Sequence, residues 1–105
     1  MILIDEGDDA LIKHIVLFKL KDSSPDNVQL TTDVLRGLKG KVEQLRELEV
    51  GIDVVKSARS YDIALVATFD SLEDLEGYQV HPEHKKVIEH MIQVRESQVA
   101  VDFEF

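Results

Sequence analysis

No cysteine occurs anywhere in the 105 residues. Disulfides, thiolate metal ligation and thiol nucleophiles are therefore excluded, and nothing in the chain calls for an oxidising compartment. Glycine is sparse, and the five glycines at positions 7, 37, 40, 51 and 77 are too scattered to form a phosphate-cradling loop. No serine sits in a nucleophile-elbow pattern, which sets acyl-serine chemistry aside. Basic residues are outnumbered 12 to 21, for a formal charge of -9. The nearest basic pairs, Lys19 with Lys21, Lys39 with Lys41 and Lys85 with Lys86, form no patch. Nucleic acid and anionic membrane surfaces are therefore not expected partners. No segment approaches the ~20 apolar residues of a membrane span. The opening Met1-Ile2-Leu3-Ile4 runs into Asp5-Glu6-Gly7-Asp8-Asp9, unlike the basic start and longer apolar run of an export signal, so a cytoplasmic protein is expected.

What is present suffices for one modest core, with 44% hydrophobic residues in a chain of single-domain length. Residues 1-10 read as an N-terminal extension, either loosely ordered or lying along a sheet edge. Residues 11-105 read as one domain.

Its first element is β-rich. From Leu11 to Leu20, Ile12, His14, Val16, Phe18 and Leu20 share one face and Leu11, Lys13, Ile15, Leu17 and Lys19 the other. Apolar residues on both faces imply a central strand covered on both sides. Ser24-Pro25 then predicts a cap followed by proline at a first helical position, and Leu30, Val34, Leu38, Val42 and Leu45 recur as a buried stripe. Gly37 and Gly40 weaken that helix, which is expected to end near Lys39. Leu48, Val50, Ile52 and Val54 alternate with Glu47, Glu49, Gly51 and Asp53, predicting a strand with one wet face near an edge. Tyr61 to Phe69 predicts a second strand buried on both faces. Ser71 and Asp74 have capping-box spacing ahead of a helix carrying Leu72, Leu75 and Tyr78. A further helix carries Val87, Ile88, Met91, Ile92 and Val94, and the chain closes on a half-buried strand with Val99, Val101, Phe103 and Phe105 alternating with Ala100, Asp102 and Glu104.

Strand, helix, strand, strand, helix pair, strand is the order of an α+β fold, a ferredoxin-like βαββαβ sandwich with helices on one face of a four-stranded antiparallel sheet. Ile15, Leu17, Ala64 and Val66 would then stand on the uncovered face. An exposed apolar sheet face marks an association surface, so a two-fold homodimer packed sheet against sheet is expected.

The chemistry concentrates in Tyr78-Gln79-Val80-His81-Pro82-Glu83-His84. Pro82 disfavours the α region for His81 and suits the first turn of a new helix, so one helix should stop near His81 and another begin. His84 then sits in a first helical turn, where the macrodipole favours the neutral imidazole, which can accept a proton. A metal is not expected. His81 and His84 are three apart, but Pro82 disrupts the face they would share and no second ligand pair has zinc spacing.

The chain resembles the stress-responsive dimeric α/β-barrel (Dabb) family. The resemblance is carried by Lys13-His14-Ile15-Val16-Leu17-Phe18-Lys19, by Tyr61-Asp62-Ile63-Ala64-Leu65, by Phe69 with Ser71-Leu72-Glu73-Asp74-Leu75, and by Tyr78, His81-Pro82-Glu83-His84 and Val101-Asp102-Phe103. It implies a ferredoxin-like fold whose two sheets form a barrel across a dimer. It also implies a distant similarity to the plant olivetolic acid cyclase, in which a tyrosine and a histidine of the Tyr-x-x-His-Pro-x-His segment drive an intramolecular aldol closure. On this chain those positions are Tyr78 and His84, with His14 matching a first-strand histidine of the same cavity. The tyrosine of the cyclase's first helix has no counterpart, since Val34 and Leu35 stand there.

An aldol closure needs a base for a proton α to a carbonyl and a donor for the enolate oxygen. His84 and Tyr78 are the candidate catalytic residues, with His14, His81 and Phe18 as candidate contacts to a hydrophobic carbonyl-bearing molecule and no cofactor required. The alternatives are structural: His14 as a core histidine hydrogen-bonded to backbone, Tyr78 as a core tyrosine, His81 as a brace of the turn. Together they describe a non-catalytic, stress-associated dimer.

Overall fold

The computed structural model describes residues 10-105. Apart from Ala10, the expected N-terminal extension lies outside the described residues. Seven elements follow: β1 (Ile12–Leu20), α1 (Pro25–Arg36), β2 (Leu45–Ile52), β3 (Ile63–Phe69), α2 (Leu72–Gln79), α3 (Pro82–Val94) and β4 (Arg95–Glu104). The strands form one sheet in the order β2-β3-β1-β4, every neighbouring pair antiparallel. This is the expected ferredoxin-like βαββαβ fold.

Strict alternation decides the faces. Ile12, His14, Val16, Phe18 and Leu20 of β1 are buried under the helices, beside Ile63, Leu65, Ala67 and Phe69 of β3. The same face of β2 contributes Leu48, Val50 and Ile52, and β2 is an edge strand as expected. Asp62, just ahead of β3, joins the strands at one end. Its backbone N–H donates to the Phe18 carbonyl at 2.8 Å, and its carboxylate accepts from the Leu20 N–H at 2.8 Å.

α1 departs from its expected stripe. Val28, Thr31, Thr32 and Leu35 are buried, whereas Leu30 is 56% exposed. A stride of four residues advances about 40° beyond a full turn at each step, so a line begun at Leu30 winds off the face that meets the sheet. Leu38 and Val42 are buried, but from the turn beyond the helix. The helix ends at Arg36 rather than Lys39, and Gly40 turns the chain with a φ of 83° that a side chain would resist. Ser24 occupies the N-cap without a side-chain bond, and Asp22 braces the approach instead. Its carboxylate accepts from the Ser24 N–H at 3.0 Å, and its carbonyl from the Asn27 amide at 2.6 Å.

At the start of α2 the Ser71 hydroxyl accepts from the Asp74 N–H at 3.1 Å, one half of the anticipated box. Leu75 and Tyr78 are buried, but Leu72 is exposed in the first turn. On α3 only Met91 is fully buried, and Ile92 faces outward. β4 departs furthest from its alternating pattern, being exposed along nearly its whole length rather than half-buried. α1 and α2 pack over β2 and β3, and α3 leans on both helices, so the helical layer stops short of the β4 edge.

Among the described residues no helix lies on the opposite sheet face. On it Leu17 stands opposite Val99, Ile15 opposite Val101 and Lys13 opposite Phe103, with Ala64 and Val66 alongside on β3. Val99, Val101, Phe103 and Phe105 are all exposed there. No helix among the described residues is long and apolar enough to cross a membrane.

Candidate functional site

The gap between α3 and the β1–β4 half of the sheet is a cavity of about 360 Å³. Its apolar wall includes Val16, Phe18, Leu35, Leu65, Val87 and Met91, and its polar lining comprises His14, Tyr78, Gln79, His84, Arg95, Gln98 and Asp102. The volume falls in the range of small-molecule sites, which combine apolar walls with a few convergent polar groups.

Tyr78 is positioned by the last turn of α2. Only 1% of it is exposed, and its ring tilts against Phe69 with centroids 4.9 Å apart. Burial pushes the phenol well above its ordinary range, so it stays protonated and available as a donor. His84 is delivered by the first turn of α3, where the chain has broken at His81 with extended φ/ψ of -65° and 137°. Its imidazole stacks on the Tyr78 ring at 4.1 Å between centroids. The Gln79 carbonyl lies 3.3 Å from His84 Nδ1. A carbonyl can only accept, so Nδ1 carries the proton and Nε2 keeps a lone pair. Burial lowers the His84 pKa, the Gln79 contact opposes this, and repulsion from His14 and His81 adds to it. The imidazole is therefore neutral near pH 7, with desolvation as the main cause rather than the helix dipole alone.

His14 projects from β1 and is 8% exposed. Its partner is not backbone. β1 and β4 pair so that His14 stands opposite Asp102, and the His14 Nδ1–H donates to the Asp102 carboxylate in a short contact. That bond fixes the tautomer and leaves Nε2 as an acceptor. The His14 and Tyr78 rings meet edge to face, 6.1 Å apart.

The structure thus brings His14, Phe18, Tyr78 and His84 around one cavity and leaves His81 outside its lining. His81 is the N-cap of α3. Its Nδ1 accepts from the Glu83 N–H at 3.1 Å, and its Nε2 lies 3.4 Å from Glu43. Among the described residues no group of three potential ligands is placed to hold a metal ion.

The stress-responsive A/B barrel domain model matches residues 12–105. The chain belongs to that family. A stress-response A/B barrel domain-containing protein of Arabidopsis thaliana is 29% identical over 99 residues, 90% of this chain and 47% of that protein. The domain described here thus spans about half the length of that curated relative. Among solved structures, a protein of Bacteroides fragilis is 35% identical with a TM-score of 0.76, covering 90% of this chain and 96% of its own. One from Thermobifida fusca is 31% identical with a TM-score of 0.81, covering 92% of each chain. Both are described as dimeric, ferredoxin-like and of unknown function.

Among the polar residues lining the cavity of this A/B barrel domain, Asp102, Arg95 and Gln98 lie outside the segments that the sequence marks as the site. For Asp102 a signal existed, because alternation places this carboxylate on the face of β4 turned toward the helices. For Arg95 and Gln98 there was none, since both fall where the helix pattern gives way to the strand.

Proposed function

We propose that this domain is a homodimer that binds a small hydrophobic carbonyl compound in the α3 cavity, with Tyr78 as hydrogen-bond donor and His84 as base. The observation that carries the proposal is the stacked Tyr78–His84 pair, whose phenol is kept protonated and whose imidazole is kept neutral by burial beside an open cavity. Nε2 of His84 takes a proton α to the carbonyl, and the Tyr78 hydroxyl donates to the enolate oxygen that develops. The enolate carbon then attacks a second carbonyl of the same molecule. The alkoxide so formed takes the proton back from the His84 imidazolium, an aldol closure that needs no external reactant. His14, held by Asp102, offers a second acceptor facing the same space.

Dimerisation is supported by the uncovered apolar face of β1, β3 and β4 and by the dimeric description of the Bacteroides and Thermobifida relatives. A second reading, a non-catalytic structural dimer, is favoured by the depth of Tyr78 in the core and by the capping role of His81.

Thermal shift of wild type and His84→Ala against aromatic acids, β-keto acids and acyl chains separates the two, because a ligand that binds only the native state raises its melting temperature. The proposal expects a rise in wild type that is lost in the variant, whose circular dichroism remains native. If no compound shifts wild type, the structural dimer is the better account.

A further inference from the structure

Two charged residues line the cavity, Arg95 and Asp102. Asp102 is engaged by His14. Arg95 enters none of the ion pairs among the described residues, although acidic residues outnumber basic ones 21 to 12. Among the described residues its guanidinium N–H donates to the Gln98 side-chain oxygen. That leaves the Gln98 amide N–H groups beside it as further donors. The guanidinium gives this end of the cavity a positive charge, with the Gln98 amide beside it. The opposite end holds His14, Tyr78 and His84, with Asp102 on His14.

The two ends are set apart by the β4 ladder. Gln98 stands opposite Phe18 and Asp102 opposite His14. Four strand residues separate the levels by roughly 13 Å at the usual rise, and the intervening wall, from Ala100 and Val16 to Val87 and Met91, is apolar.

Resting on the proposed carbonyl-binding reading, we infer that the ligand is an anion as well as a carbonyl compound: a medium-chain oxo acid whose carboxylate is held by Arg95 and Gln98 while its remote carbonyl meets Tyr78 and His84. A planar guanidinium fork suits the two coplanar oxygens of a carboxylate, and partial burial strengthens the pairing over what a surface arginine achieves. Arg95 then sets the direction in which the ligand lies, carboxylate toward the helix–strand junction and carbonyl toward the His84 turn. Arg95 is a specificity-determining residue and takes no part in the proton transfers.

Calorimetric titration with a straight-chain medium-length oxo acid bearing its ketone on the penultimate carbon, and with the methyl ester of the same acid, tests this near neutral pH. Wild type is expected to prefer the acid by about tenfold or more, the scale of a charge-assisted hydrogen-bond pair. Arg95→Met should erase that preference by lowering the affinity for the acid far more than that for the ester, and Arg95→Lys should retain part of it. The ester serves as the fold control, since an unfolded variant would bind neither compound. Equal affinity of wild type for acid and ester, or a preference that survives in Arg95→Met, would overturn the assignment of Arg95 while the carbonyl-binding reading stands. Failure of wild type to bind either compound removes both.

Discussion

The imidazole of His84 lies over the phenol of Tyr78 with ring centroids 4.1 Å apart and planes 29° from parallel. The two residues are the last turn of one helix and the first turn of the next, and His81-Pro82 is the corner that folds one onto the other. A corner that only linked helices would not need to bury an ionisable ring. Here the stack desolvates His84 while leaving it on the cavity wall.

The pH dependence follows from that burial. The folded-state pKa of His84 lies below its ordinary value, so the unfolded chain binds its proton first. Stability contributed by the neutral ring is intact above about pH 6.5, declines as the pH falls from there, and levels off beneath the folded-state value. Urea melts at decreasing pH should show this decline, and His84→Gln should remove His84's share of it. An NMR titration of the His84 ring that centres at or above the free-histidine value would sink the argument.

Tyr78 separates ring from hydroxyl. Tyr78→Ala opens a cavity in the core and is expected to cost about 3–5 kcal/mol, as large aromatic truncations do. Tyr78→Phe keeps the packing against Phe69 and His84, so it should cost no more than about 1.5 kcal/mol while abolishing any ligand response that needs a donor. Equal losses of stability in both variants would mean that the hydroxyl, not the ring, supports the fold.

Replacing Asp102 with Asn tests the His14 partnership. The carboxylate sits on an edge strand and is partly exposed, so the change in stability is expected to stay below about 1 kcal/mol. Ligand affinity or turnover should fall by about tenfold or more, because His14 loses the charged acceptor that sets its tautomer. A variant with unaltered ligand response would confine His14 and Asp102 to a structural role.

Ile15 and Val101 face each other on the helix-free side of the sheet. A lysine at Val101 would place a charge in the middle of the proposed dimer interface, and sedimentation should then report a monomer where wild type sediments as a dimer at micromolar concentration. Wild type sedimenting as a monomer would refute the sheet-to-sheet pairing.

Much of this architecture was legible in the chain because it rests on local rules. A period of two along Ile12–Leu20 and Ile63–Phe69 assigned their faces, proline geometry located the break at His81, and the hydroxyl of Ser71 marked the start of α2. Periodicity misplaced the stripe of α1, since the sheet selected Val28, Thr31 and Leu35 while the spacing of the bulkier apolar residues suggested Leu30 and Val34. It also overestimated the burial of β4, because alternation reports which residues share a face and not whether any layer covers it.

Local sequence thus determined the strand faces, the helix junction and the gathering of Tyr78 and His84 within seven residues, all of which depend on contacts a few positions apart. Tertiary structure alone decided that His14 meets Asp102, 88 positions away, that the helices stop short of β4, and that a cavity with an arginine at one end remains. Register between distant strands and the reach of a packed helical layer are set by how the whole core closes, and no window of sequence contains that information.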